Sequence, residues 1–326
     1  PNFFGLSIAY DPYMREVVQA DRLTTCGGDG GCNICGGLGP FLGFLPCSPH
    51  CKPEVQEDNA LNGNYDFYRP IVRIPLEKKG EIEMPATQWL NKYESIKDKL
   101  ACKTDLDAHF TEKVIGNREV DVLDIGAVHF PSGMIFACDP LVELEDTPPF
   151  IQTIPAGTYP VKICVVPSEK YGDRYACVKV EVSREKPVRY ELGMTGKEDL
   201  DEELDEDGYF GFGVDAGMGC VADIQTQAAF KTYWAKRLEE DPDIDPYNDL
   251  FCDLLEENAK ACPKYQLSHG DWLNWTVPDT DCNLPIFASG WGDGYYPVYF
   301  GYDAKGKVCA VYVRFIDIEA SYQEQA

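Results

Sequence analysis

The chain has 326 residues, of which 44% are hydrophobic and 12% aromatic, so it can build a substantial core and does not have the composition of a disordered protein. Its 55 acidic residues outnumber its 29 basic residues, and no basic run is present, which argues against binding to nucleic acid or to anionic membranes. No apolar stretch reaches the roughly 18 residues of a membrane span, so no membrane insertion is expected. A basic protein partner or divalent cations remain as candidate ligands.

The segment 26–51 is rich in cysteine, glycine and proline, which predicts a loop held by cross-links rather than a helix or a central strand. Cys32 and Cys35 form one closely spaced pair, Cys47 and Cys51 form another, and eleven residues separate the two pairs. Paired thiolates at these spacings suit tetrahedral zinc, the one cofactor that the sequence suggests. A disulfide-clamped loop and free thiols are the alternatives.

The other cysteines bear on the cellular compartment. Nine of the fourteen are scattered between Cys102 and Cys309, and several, such as Cys138, Cys164 and Cys177, occupy apolar positions in strand-like segments. A free thiol in such a position packs as a small hydrophobe. The N-terminus also lacks the basic start and apolar centre of a secretory signal. We therefore expect a cytoplasmic protein, with a secreted or organellar location as the alternative.

Helical and extended segments follow the cysteine-rich loop. Residues 65–75 are extended, and their prolines confine them to a sheet edge. Apolar residues then repeat with helical spacing from Trp89 to Leu100, which predicts a helix. A second helix is predicted from Thr104, as its N-cap, to Gly116, as its C-terminal stop.

Strands predominate from Val120 onward. The segment 128–137 predicts a hairpin that turns on residues 131–133. Residues 198–207 contain eight acidic residues in ten, which is typical of a solvated loop or a frayed helix. Further strands are predicted at 159–166, 175–183, 188–192, 284–288, 295–302 and 308–315, and helices at 224–238 and 246–261.

This order of elements contains no alternation of strand, helix and parallel strand and no internal repeat. It predicts an α+β fold, a predominantly antiparallel β-sandwich-like domain with two inserted helices. We divide the chain into a Cys/Gly/Pro-rich N-terminal extension, residues 1–103, and a β-rich domain, residues 104–326, that carries the acidic insertion.

Five short motifs in the β-rich part occur in a fixed order. They are DIGAVHFPSG at 124–133, ACDPL at 137–141, PAGTYPV at 155–161, GFGVDAGMGC at 211–220 and SGWGDGYYP at 289–297. Together they resemble the uncharacterised family called domain of unknown function 4241, over about residues 104–318. The resemblance implies no established activity and no catalytic residue to transfer. Because some bacterial genes of such domains are suspected to lie near toxin loci, it implies an immunity-type binding role.

The motifs contain polar residues that glycine turns do not explain. An aspartate among apolar and aromatic residues must be paired or exposed, and the simplest role of such an aspartate is to cap a turn. The other reading is a polar cleft for a cation or a small ligand, in which Asp215 and Asp293 converge between aromatic walls that include Tyr299. The candidate ligand-binding residues are Asp139, Asp215, Trp291, Asp293 and Tyr295.

These observations lead us to expect a non-catalytic binding protein whose acidic surface contacts a protein partner. One alternative is a hydrolase, metal-dependent or acid/base, that uses Asp215 and Asp293. The other is a structural subunit of a larger assembly, docked through the N-terminal extension.

Overall fold

A computed structural model describes residues 85–170, 172–202, 204 and 208–322, together with the backbone of three short strands nearer the N-terminus. The chain divides into two compact units, Pro1–Lys79 and Gly80–Ala326. The helix predicted from Trp89 is present and belongs to the second unit. The domain boundary placed after residue 103 stays a prediction.

The first unit is described by its strands alone. They are β1 (Arg15–Gln19), β2 (Leu23–Gly27) and β3 (Asp66–Phe67). β1 lies between the other two, antiparallel to β2 and parallel to β3. Cys32, Cys35, Cys47 and Cys51 lie outside the described residues, so the zinc site and its disulfide alternative stay predictions.

The second unit is an α+β domain dominated by antiparallel strands, as the sequence predicted. Its strands are β4 (Val114–Ile115), β5 (Arg118–Glu119), β6 (Asp121–Phe130), β7 (Ile135–Cys138), β8 (Gly157–Val166), β9 (Arg174–Glu181), β10 (Arg189–Leu192), β11 (Phe212–Val214), β12 (Met218–Asp223), β13 (Trp272–Thr276), β14 (Asn283–Ala288), β15 (Gly294–Tyr296), β16 (Val298–Tyr302) and β17 (Val308–Arg314).

The helices of this unit are α1 (Thr87–Leu100), α2 (Ala108–Thr111), α3 (Ile224–Glu240), α4 (Cys252–Ala261) and α5 (Ile318–Ser321), with a π-helical turn at Tyr247–Phe251 directly before α4. Among the described helices, none is long and apolar enough to cross a membrane.

Two sheets form the body of the second unit. A six-stranded sheet has the order β10-β16-β17-β9-β8-β6, and a four-stranded sheet has the order β13-β14-β12-β7. Strand β6 contacts β12, β13 and β14, so the two sheets are layered in a sandwich-like arrangement. All six residues of β12 are buried, because the six-stranded sheet covers one face and helices α3 and α4 cover the other.

The alternation of β12 divides the core into two apolar clusters. Val221 belongs to the cluster between the sheets, whereas Cys220 and Ala222 point to the other side and pack in one cluster with Phe230 and Trp234 of α3. A strand that is buried on both faces lacks the alternation of apolar and polar residues by which a half-buried strand is recognised. The sequence therefore did not predict β12.

The predicted helix between Thr104 and Gly116 is wrong over most of its length. Only the single turn α2 is helical, and β4 and β5 form a small hairpin after it, with Gly116 at a φ of 57° in its turn. Gly116 thus permits a tight reversal of the chain rather than a helix C-cap.

The turn of the predicted hairpin at 128–137 is present, but its two strands do not pair with each other. Strand β6 pairs with β8 in the six-stranded sheet, whereas β7 pairs with β12 in the other sheet. The chain therefore changes sheets at the turn 131–133. The predicted strand at 295–302 is likewise two strands, β15 and β16, interrupted at Pro297, which has no backbone N–H to donate to a ladder.

Two asparagines join the sheets where β6 is irregular. The register of β6 shifts between Asp124 and Ala127, and Gly126 has a φ of 94°. The Nδ2 atom of Asn274 donates to the carbonyl oxygens of Ile125 and Ala127, both at 3.0 Å. Asn283 donates to the same Ala127 oxygen at 2.7 Å. Side chains of the four-stranded sheet thus satisfy backbone groups that the bulge leaves unpaired.

Two buried aspartates hold the ends of the β7–β12 pair, and we call them the aspartate clamp. Asp223, the last residue of β12, is fully buried and accepts hydrogen bonds from the backbone N–H of Ser132 and Gly133, both at 2.9 Å, and from that of Gln225 at 2.8 Å. Asp223 therefore fixes the turn that leads into β7 and caps helix α3.

Asp139, the residue after β7, makes the corresponding contacts at the other end. It is 1% exposed, and its Oδ2 atom accepts from the backbone N–H of Asp215 at 3.0 Å and of Ala216 at 2.7 Å. Its Oδ1 atom accepts from the N–H of Leu141. Each strand of the pair thus ends in a carboxylate that fixes the loop leading into the other strand.

We predict that Asp223→Ala lowers the free energy of unfolding by at least about 3 kcal/mol, because it leaves three backbone N–H groups without an acceptor. The matched change Ser132→Ala removes one hydroxyl donor to the same carboxylate and should cost about 1 kcal/mol. Denaturant unfolding of both variants measures the difference. Equal losses would contradict the role of Asp223 as the common acceptor.

Candidate functional site

The loop that follows β14 carries the last of the five family-like motifs. Gly290 has a φ of 67°, and a Cβ atom there would lie 2.9 Å from Cβ of Phe315 and 3.0 Å from the carbonyl oxygen of Tyr175. Glycine is therefore required at this position both by the backbone conformation and by close packing. The hydroxyl of Ser289 donates to the carbonyl oxygen of Gly292 at 2.7 Å and closes the turn.

A second loop, residues 215–217, lies directly beside this turn. The backbone N–H of Ser289 donates to the carbonyl oxygen of Gly217 at 3.0 Å. Asp139 binds the backbone N–H groups of Asp215 and Ala216, so the position of this loop is set by the aspartate clamp. Two of the family-like motifs are thus joined by a backbone hydrogen bond.

A third loop leads from α4 to β13. Gly270 has a φ of 85°, and a Cβ atom there would lie 2.4 Å from the carbonyl oxygen of Leu255, so the loop lies against α4. The side-chain oxygen of Gln266 accepts from the N–H of Asp271 at 3.0 Å and of Trp272 at 3.1 Å. Oδ2 of Asp271 in turn accepts from the N–H of Leu267. These contacts hold Asp271 at the base of the loop.

The three loops line an open cavity of about 530 Å³, within the usual size of a small-ligand pocket. Three of its lining side chains are large, apolar and solvent-exposed: Tyr247 at 41%, Leu267 at 56% and Trp291 at 50%. Leu141, Met218 and Leu255 extend the apolar wall inward. Tyr247 is the first residue of the π-helical turn, a rare backbone form that is frequent at functional sites.

Ionisable side chains also line this cavity. Asp271, His269 and Arg174 are among them, and the acidic side chain of Asp173 is near enough to affect Asp271. Burial raises the pKa of the Asp271 carboxyl, and Asp173 adds to this rise, while the Leu267 N–H, His269 and Arg174 oppose it. The cavity therefore combines an apolar wall with a half-buried carboxylate.

A stack of aromatic and guanidinium groups forms one rim. The guanidinium carbon of Arg174 lies 5.4 Å from the centroid of the Trp291 ring. The ring of Tyr322 lies 5.9 Å from that of Trp291, and the Arg118 guanidinium carbon lies 4.6 Å from the Tyr322 ring centroid. Cation–π contacts of this kind hold an exposed indole in place.

The candidate ligand-binding residues predicted from the sequence do not lie together: one lines the cavity, and others lie outside it or in the core. Trp291 lines the cavity, whereas Tyr295 is equally exposed but lies outside its wall. Asp139 is buried, and its carboxylate accepts three backbone N–H groups. Tyr299, the expected aromatic wall, is 3% exposed and packs in the core.

Asp215 and Asp293 lie one residue beyond the paired strands β11 and β15. Val214 of β11 pairs with Gly294 of β15 in antiparallel register, so the two aspartates are the next residue on each strand. Both are exposed. Among the described residues, no three His, Cys, Asp or Glu side chains are grouped so that they could hold a metal ion.

Sequence reasoning missed Arg174, Tyr247, Leu267, His269 and Asp271. These residues come from three separate segments of the chain, none of which forms a known ligand-binding motif. The only local signal was the sequence His269-Gly270-Asp271 between a helix and a strand, since a glycine there permits the positive φ that brings its neighbours to the cavity.

A second cavity, of about 770 Å³, lies at the other side of the domain between the turn 303–307 and residues 153–159. Its lining includes Lys305, Lys307, Glu185 and Tyr159. None of the large exposed apolar side chains lines it. The smaller cavity is therefore the stronger candidate among the described residues.

Comparison with known proteins agrees with the motifs. The family described as "Protein of unknown function (DUF4241)" matches residues 128–313, more than half of the chain, and the chain belongs to this family. No curated protein and no solved structure matches it. The resemblance predicted from the five motifs is thus confirmed.

We predict that Gly290→Ala lowers the free energy of unfolding by about 2–4 kcal/mol, because it adds both backbone strain and steric overlap with Phe315 and Tyr175. Gly292→Ala is the matched control: its φ is 99°, but a Cβ atom there would have no neighbour within 4 Å. It should therefore cost about 1 kcal/mol from strain alone. Denaturant unfolding measures both, and equal losses would contradict the close packing of Gly290.

Proposed function

We propose that this member of the DUF4241 family is a non-catalytic binding protein that docks a basic protein partner on the 530 Å³ cavity. One observation carries the proposal: Tyr247, Leu267 and Trp291 are exposed and converge on the same cavity. Large exposed apolar side chains cost solvation free energy in an isolated protein, and where they cluster around a cavity they are typical of a binding surface.

The identity of these side chains supports a protein partner. Tryptophan and tyrosine are the residue types that contribute most to protein–protein affinity when a partner covers them. Trp291 is held by the Arg174 and Tyr322 contacts, so its immobilisation on binding costs little entropy. The cavity beside it has room for a side chain of the partner.

The charge of the protein supports a basic partner. The net charge is −26, and an acidic stretch lies on both sides of Tyr247 in the chain. The residues of that stretch, all exposed, are Glu239, Glu240, Asp241, Asp243, Asp245 and Asp249. Such a surface attracts and orients a basic partner, and its contribution is weakened by salt.

We predict that Trp291→Ala weakens partner binding about 30-fold, which corresponds to the roughly 2 kcal/mol typical of an interface hot spot. Tyr295→Ala is the control, since both side chains are 50% exposed but only Trp291 lines the cavity. Immobilised wild type and variants are compared for retention from a native extract and then, with the purified partner, by calorimetry at low and high salt.

We expect wild type and Tyr295→Ala to retain the partner and Trp291→Ala to lose it. Binding of the partner should also weaken at high salt. Equal retention by all three proteins, or binding that high salt does not weaken, would refute docking of a basic partner at the cavity.

The alternative function is a hydrolase that uses Asp215 and Asp293, which the register of β11 and β15 favours. Continuation of that register by one residue would place the two side chains opposite one another, where both carboxylates could contact one substrate. For this alternative we expect cleavage of at least one member of a panel of chromogenic esters, phosphoesters and glycosides, with or without divalent cations. The double variant Asp215→Asn/Asp293→Asn should abolish it, and cleavage that survives in this variant would exclude the pair.

A further inference from the structure

Asp271 is the acidic side chain that the fold holds inside the cavity. It is half-buried, and its Oδ2 atom accepts a hydrogen bond from the backbone N–H of Leu267. The backbone N–H of Asp271 donates to the side-chain oxygen of Gln266. A single backbone donor does not replace the hydration that a carboxylate has in water. A cationic group of a ligand would supply the missing donors.

The walls that lead to this carboxylate are apolar and aromatic. Leu255 and Leu267 lie on the cavity side of α4 and of the loop after it, and Tyr247 and Trp291 add two aromatic rings. Lysine and arginine side chains have a long aliphatic stem and a charged end, and they bury the stem against apolar surface. Aromatic rings also attract their cationic ends.

The net charge of the protein favours a cation over an anion. Asp173 and Asp271 contribute negative potential at the cavity, which His269 and Arg174 partly offset, and the net charge of the whole chain is −26. Arg174 also lines the cavity, but its guanidinium lies over the Trp291 ring, on the rim. An anionic ligand would have to enter against the field of the protein.

We propose that the cavity binds a lysine or arginine side chain of the partner, with its cationic end on the Asp271 carboxylate and its stem between Leu255, Leu267 and the aromatic rim. This assignment rests on the proposed docking function and adds the chemistry of the bound group. It makes Asp271 the residue that determines which partners fit.

Small probes test the assignment on the full chain. Binding of N-acetyl-arginine amide and N-acetyl-lysine amide is followed by the fluorescence of the tryptophans and by NMR, with N-acetyl-norleucine amide as the uncharged probe of similar shape. We expect the cationic probes to bind at least about tenfold more tightly than norleucine, since a charge-assisted hydrogen bond contributes roughly 1.5 kcal/mol or more.

Asp271→Asn should remove this preference, because the amide keeps an oxygen for the Leu267 N–H but loses the charge. Asp253→Asn is the control, since Asp253 is exposed on helix α4 but does not line the cavity. It should keep the preference. Thermal unfolding checks that both variants fold.

Three outcomes would overturn the assignment: equal binding of norleucine, tighter binding of N-acetyl-aspartate amide, or an unchanged preference in Asp271→Asn. Loss of the partner in Trp291→Ala together with full retention in Asp271→Asn would leave docking intact and refute the cation site. Probe binding that depends on Asp271, with partner binding unaffected by Trp291→Ala, would support the cation site and refute docking.

Discussion

The aspartate clamp on the β7–β12 pair is the constraint from which the rest of the domain follows. A buried carboxylate is stable only when donors surround it, and here backbone N–H groups of two loops supply them. Asp223 thereby sets the turn at which the chain passes from one sheet to the other and starts α3. Asp139 sets the loop before β12. The turn between the two sheets and one loop of the cavity are thus held by two side chains.

The cavity exists because three loops with positive-φ glycines meet at one end of the four-stranded sheet. Gly217, Gly270 and Gly290 each have a φ that other residues rarely adopt, and Gly270 and Gly290 also approach neighbouring chain segments closely. Gly217 and Gly290 lie in the family motifs, and all three glycines position the loops that line the cavity. The side chains available to a ligand are their neighbours in the loops, Trp291, His269 and Asp271.

The acidic surface and the apolar rim have separate physical roles. In the proposed docking, the surface carboxylates act at long range and favour partners of opposite charge, and salt screens this effect. The exposed side chains of Tyr247, Leu267 and Trp291 act only at contact, where burial of apolar area adds affinity that salt does not weaken. A salt-dependent and a salt-independent part of the binding free energy should therefore be separable.

The sequence by itself determined the α+β class, helix α1, most strands and the family, because local alternation, helical spacing and turn glycines are properties of short segments. It did not determine that β6 and β7 belong to different sheets, or that β12 is a buried strand. Those depend on Asp223 and on pairing between distant segments. The tertiary structure alone decided the cavity, since Arg174, Asp271 and Trp291 are far apart in the chain and only the packing of three loops makes them neighbours.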